Sequence, residues 1–135
     1  MKKILIGFVI ILVWGLSFHT GCKIFAQYDL EGMWVITREI GGVEDNITLS
    51  FSGDRQLGIV TWDSWQVGGY EFRFNDELYW NVAYPPNTFP EGSVSEFYTG
   101  GFEDRDTMGG TVDRYVNQER AQGTWTAVRL EESLY

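Results

Sequence analysis

The sequence predicts an all-β fold in which eight antiparallel strands, in up-and-down order, close into a barrel. Three observations carry that expectation. Short stretches of period-two alternation follow one another from about residue 32 to residue 130, separated by turn residues. No 3.6-residue apolar period appears after the first 26 residues. The first and last stretches both carry a tryptophan, as a sheet joined at its ends requires. Eight is also the strand number whose closed interior holds side chains or one small ligand. Closure removes the exposed edges of a sheet so rich in β-formers.

The chain opens on a segment outside that fold. Lys2 and Lys3 precede an uncharged apolar run, Ile4 to Phe18, shorter than the roughly 20 residues a membrane span needs. This is the pattern of an export signal. It leads us to expect an exported protein that is periplasmic, attached to the outer membrane or released. Two cleavage points fit, one after Ala26 and one before Cys22. In the second case Cys22, the only cysteine, carries a diacylglycerol anchor, the chain's one expected tie to a membrane. Residues 1–26 are thus read as leader and residues 27–135 as a single barrel domain.

Removing the leader changes the charge. Lys2, Lys3, Lys23 and the only histidine, His19, go with it, leaving seven arginines against nineteen acids, 7 − 19 = −12. A chain this acidic repels phosphate backbones, which argues against nucleic acid. It also argues against a basic patch on anionic lipid. With no imidazole and no free thiol, triad-type catalysis and the common zinc and haem ligand sets are excluded. The nineteen acids read as a solvated surface, and Glu103-Asp104-Arg105-Asp106 as a charged turn, not a calcium loop. No enzyme activity, metal or cofactor is expected. Eighteen aromatic residues (five Trp, seven Tyr and six Phe) remain outside the leader, so aromatic burial must carry much of the stability.

The elements follow in order. Strand one is expected over 32–40, with Gly41-Gly42-Val43-Glu44-Asp45 as a turn. Asn46 to Gly53 places Ile47, Leu49 and Phe51 on one face and Thr48, Ser50 and Ser52 on the other. Strand three, 56–63, faces its neighbours either through Leu57, Ile59 and Thr61 or through Val60 and Trp62. Ser64-Trp65-Gln66 connects it to strand four, 67–74, where Tyr70, Phe72 and Phe74 oppose Glu71 and Arg73. After Asn75-Asp76, strand five (77–84) sets Leu78, Trp80, Val82 and Tyr84 on one face. The longest loop, Pro85 to Gly92, holds all three prolines. Strand six spans 93–103, with Gly100-Gly101 marking a bulge or a close backbone approach. Strand seven spans 107–115 and strand eight 121–130.

If strands one and eight pair in antiparallel closure, residue 31 falls opposite residue 130. Trp34 then faces Ala127, with Trp125 and Arg129 as diagonal neighbours on the same face. Arg129 can lay its guanidinium on the indole, so Trp34 and Arg129 are expected to touch. These residues, Gly32-Met33-Trp34 with Arg129, resemble the end-closure of the lipocalins. Asp106-Thr107-Met108-Gly109-Gly110-Thr111 and Gly123 to Arg129 are similar to stretches of small bacterial lipocalin-like secreted domains. The resemblance implies a barrel whose Gly32, Trp34, Trp125, Ala127 and Arg129 plug one end, leaving ligand contact to the other.

The remaining candidate site is aromatic. Tyr70, Phe72 and Phe74, with Trp80 and Val82 on the next strand, line one interior wall, and Phe89 sits in the proline loop as rim or lid. Either these residues hold a small hydrophobic molecule without covalent attachment, or they fill the barrel as solid core. In the second case the protein acts as a structural or interaction module that meets an envelope protein through its loops.

Overall fold

The computed structural model describes residues 28–73 and 77–130. The leader, Cys22, Phe74 and the Asn75-Asp76 hairpin lie outside the described residues. Eight strands form one closed antiparallel barrel in sequence order, β1-β2-β3-β4-β5-β6-β7-β8, with β8 returning to β1. They are β1 Gly32–Ile40, β2 Val43–Gly53, β3 Leu57–Trp62, β4 Trp65–Arg73, β5 Glu77–Ala83, β6 Val94–Asp104, β7 Thr107–Val116 and β8 Glu119–Arg129.

The expected alternation carries the observed core. Leu49 and Phe51 of β2, Tyr70 and Phe72 of β4, and Leu78, Trp80 and Val82 of β5 are all buried. Strand three buries Val60, with Trp62 partly buried, and leaves Leu57 and Ile59 in solvent. That settles the facing that alternation left open. Strand boundaries move where turns are tighter than expected. Gly41-Gly42, Asp63-Ser64 and Asn117-Gln118 each have positive φ at both residues, as two-residue type I′ hairpins require. So β2 starts at Val43, β4 at Trp65 and β8 at Glu119, all earlier than the alternation suggested. Gly100 faces Gly110 across β6 and β7, and a Cβ on either would strike the facing strand's backbone. The pair is therefore a close approach, and the ladder's irregularity falls at Phe102/Asp104 instead.

The closure differs from the expected register by two residues. Trp34 pairs with Arg129, Ile36 with Ala127 and Arg38 with Trp125. The expected contact forms nevertheless, with the Arg129 guanidinium 4.4 Å from the centre of the Trp34 ring. Trp34 Nε1 donates to Leu30 O at 2.9 Å. Arg129 donates to the carbonyls of Glu31 (2.9 Å), Asp29 (2.7 Å) and Arg105 (3.0 Å). This ties the entering chain and the β6–β7 turn across one end of the barrel.

Between the ends the interior is filled by rings. Phe102 packs on Trp34 and Phe72, Phe72 on Tyr70, Tyr70 on Phe51, and Phe51 on Trp80. Trp80 stacks on Tyr98 with centroids 3.6 Å apart, and both meet Trp125 edge-on. The glycine pair at 100 and 110 lies beside Trp125, whose Nε1 donates to Thr111 O (2.9 Å) and Thr99 O (3.2 Å).

Candidate binding site

Above this aromatic layer, towards the end carrying the Gly41-Gly42, Asp63-Ser64 and Asn117-Gln118 turns, the interior becomes polar. Among the described residues, Arg38 and Glu96 are the buried charged ones, 3% and 0% exposed. Arg38 shares its strand face with Trp34, Ile36 and Ile40, and Glu96 shares its own with Val94 and Tyr98, so both point inward. Their ion pair is 2.5 Å long. Glu96 Oε1 also accepts from the hydroxyls of Tyr84 (2.7 Å) and Tyr98 (2.8 Å). Its Oε2 accepts from Arg114 Nε at 2.8 Å. Arg38 turns its other edge to Asp45, with Nε and Nη2 donating to the two carboxylate oxygens at 2.9 and 2.6 Å.

Two arginines against two carboxylates make this network neutral, which is how so buried an assembly survives desolvation. Burial by itself works against the charge on Arg38. The bond to Asp45 and the fields of the surrounding tyrosines and Glu96 outweigh it and hold the guanidinium above its ordinary pKa. Burial likewise opposes ionisation of Asp45, but its bonds and charge pairing with Arg38, then Arg114, hold its carboxyl below the usual range. Burial pushes the hydroxyls of Tyr98 and Tyr84 up, with Glu96 adding to the effect. Both phenols therefore stay protonated and act as donors to the carboxylate.

Arg38 and Asp45 of this network line a cleft of about 550 Å³. Its walls differ in kind. On one side stand Trp62, Asp63 and Phe89; on the other runs β2 from Asp45 to Thr48. The cleft exists because β2 outruns its neighbour. β2 and β3 pair only from Ser50↔Thr61 to Gly53↔Gly58, while β2 stays paired with β1 all the way to Val43. Tyr84 bridges the aromatic wall, meeting Trp62 and Phe89 edge-on at 5.3 and 4.9 Å. In the β1–β2 and β3–β4 hairpins at this end, Val43 and Trp65 are 68% and 62% exposed.

A second depression, about 470 Å³, lies on the outer wall where Gly69 leaves a gap among Leu57, Tyr79, Asn81 and Phe97. Its charged residues, Glu71 and Arg73, pair with each other at 2.8 Å. The β4–β5 ladder also stops here, at Tyr70↔Trp80, but no buried ion pair lines this depression as Arg38 lines the first, which is why the first is the better candidate.

Of the residues singled out for ligand contact, Tyr70, Phe72, Trp80 and Val82 are brought together as packed core, each 3% exposed or less. The Tyr70 hydroxyl donates to Asp54 O at 2.8 Å. Trp80 Nε1 is buried without a partner among the described residues. Phe89 lines the cleft, and Phe74 is outside the described residues. The reading of the acids as solvated surface fails at Glu96, which is enclosed because two arginines and two phenols replace its water. Arg38 and Glu96 were legible as charges on inward positions of strands 32–40 and 93–103. Their meeting was not, because 58 residues separate them.

No protein-family model, curated protein or solved structure shows significant similarity to this chain.

Proposed function

We propose that this chain is an exported, non-catalytic, lipocalin-like barrel that serves as an interaction module. In this reading its packed interior is scaffold, and its open end engages a partner protein of the envelope or its surroundings. One observation carries the reading: the rings from Phe102 to Trp125 occupy the space where a lipocalin-like barrel would hold a ligand. Trp65 and Val43, exposed in the β3–β4 and β1–β2 hairpins at the same end, offer apolar contacts of the kind partners use. Neither nucleic acid nor a membrane surface suits so acidic a chain. Any membrane tie runs through Cys22.

A second reading has its own support. Trp80 Nε1 has no acceptor among the described residues, and a small hydrophobic molecule with one acceptor atom, lodged against Tyr70, Phe72, Trp80 and Val82, would supply it. Native mass spectrometry of protein purified from its source separates the two. A bound protein that is lost on Trp65→Glu supports the interaction module. A co-purifying small molecule that survives Trp65→Glu and disappears on Trp80→Phe overturns it. The same spectrum reports whether Cys22 is acylated.

A further inference from the structure

The wall of the cleft formed by β2 is an open strand edge, and hairpin geometry says which of its groups are free. In a two-residue hairpin the flanking pair exchanges both backbone hydrogen bonds, and hydrogen-bonded pairs then alternate along the ladder. Gly41-Gly42 is flanked by Ile40 and Val43. Val43, Asp45 and Ile47 therefore bond to β1, while Glu44, Asn46 and Thr48 turn their N–H and C=O groups the other way. The Asp63-Ser64 hairpin gives the same parity from the opposite side. Its flanking pair is Trp62↔Trp65, so Thr61 bonds away from β4, towards its partner Ser50. Among the described residues no strand pairs with that side of β2 beyond Ser50, and none of the backbone hydrogen bonds outside the ladders involves residues 43–49.

Sheet edges in native proteins are normally blunted by charged side chains, proline, a bulge or a cover. Residues 43–49 contain no proline or lysine, and the β1–β2 ladder is regular throughout; the charges the edge does carry, Glu44 and Asp45, are acidic and oppose pairing with another acidic strand, not with a basic one. We propose that this edge takes an extended, basic peptide segment of a partner protein as an added strand, in the gap between β2 and β3. The proposal rests on the interaction-module reading above and names the kind of partner it implies.

Charge complementarity chooses the occupant. The edge itself carries Glu44, whose register partner on β1 is Glu39, and Asp63 stands across the cleft. Arg38 and Arg114 are neutralised by Asp45 and Glu96, so the uncompensated charge around the gap is negative. Alternate lysines or arginines on an incoming strand would meet Glu44 and its neighbours, and the apolar residues between them would face Ile47, Trp62 and Phe89. A second copy of this chain fits poorly, because pairing two such edges brings acidic strands together in a molecule of net charge −9.

The test uses hydrogen exchange on the mature chain with a capped heptapeptide of alternating lysine and valine as probe. The expected result is about tenfold slower exchange at the amides of Glu44, Asn46 and Thr48, weakening as salt is raised. The effect should be absent with a peptide N-methylated at alternate amides. Asn46→Pro removes one free edge donor without touching the β1 ladder, a substitution edges tolerate, and should abolish protection of Glu44 and Thr48. Asn46→Ala should retain it. Circular dichroism of both variants checks that the barrel is intact. Unchanged exchange at millimolar peptide, or equal binding by the N-methylated peptide or by Asn46→Pro, overturns the proposal. If the natural partner is lost on Trp65→Glu but kept on Asn46→Pro, the edge assignment fails and the interaction module stands. If it is kept on both, both fail.

Discussion

Each end of this barrel is organised by an arginine on an inward-facing position, and the two do opposite work. At the sealed end Arg129 covers Trp34 and gives its protons to the backbone carbonyls of Asp29, Glu31 and Arg105. Carbonyls carry no net charge, so the guanidinium keeps partial contact with water and with the Asp106 carboxylate at 3.3 Å. The arrangement ties chain segments together. At the mouth Arg38 is almost wholly enclosed, and its partners are Glu96, Asp45 and two phenols. There the ion is matched by countercharges, and the strands around it separate instead of closing. The contrast shows that a barrel of this size can be shut with neutral acceptors. A buried charge that needs its own carboxylates produces a polar end whose walls need not meet.

Three measurements test this contrast. The largest effect is expected for Glu96→Gln, which leaves Arg38 enclosed without its buried countercharge. A loss of about 3–5 kcal/mol is expected, read from the urea midpoint. A loss below about 1 kcal/mol would mean that Asp45 alone suffices and that the network is not the organising feature of the mouth. Arg129→Ala should cost less, about 1–3 kcal/mol, from the cation–π contact and charge-assisted bonds to carbonyls at a partly exposed site. Equal losses in the two variants would erase the distinction between the ends.

The smallest effect is a dependence on acid. Asp45 has a folded pKa below its usual value of about 3.9. Its contribution to stability is therefore fully present above that value and lost as pH falls through the lower, folded one. Urea unfolding from pH 7 down to pH 2 should show stability falling below about pH 4. Asp45→Asn should flatten part of that fall. The closed-end turn carboxylates Asp54 and Asp104, which accept backbone N–H bonds, should account for the remainder. An unchanged acid limb in Asp45→Asn would show that Arg38 and Arg114 do not hold this carboxylate in solution.

Much of this was legible from the chain alone. Alternation at Leu49 and Phe51, and at Leu78, Trp80 and Val82, gave the buried faces correctly because a pleated strand sends successive side chains to opposite sides. The Trp34–Arg129 contact was legible from type and position. Its register was not, and the reason is geometric. A shift of one residue would have moved every core side chain into solvent, whereas a shift of two preserves every face. Alternation therefore cannot distinguish Trp34 opposite Ala127 from Trp34 opposite Arg129. The same limit hid the cleft, since strand lengths of eleven for β2 and six for β3 do not say where pairing stops.

Period-two patterning and turn chemistry are local, so the chain alone specified the fold class, the order of the strands and the Trp34–Arg129 contact at the sealed end, though not Trp125, which lies opposite Arg38. Only the tertiary structure decided that Arg38 and Glu96 meet, that the aromatic faces interlock into solid packing, and that β2 keeps a free edge. Those outcomes depend on register and on contacts between distant strands, which local alternation leaves undetermined.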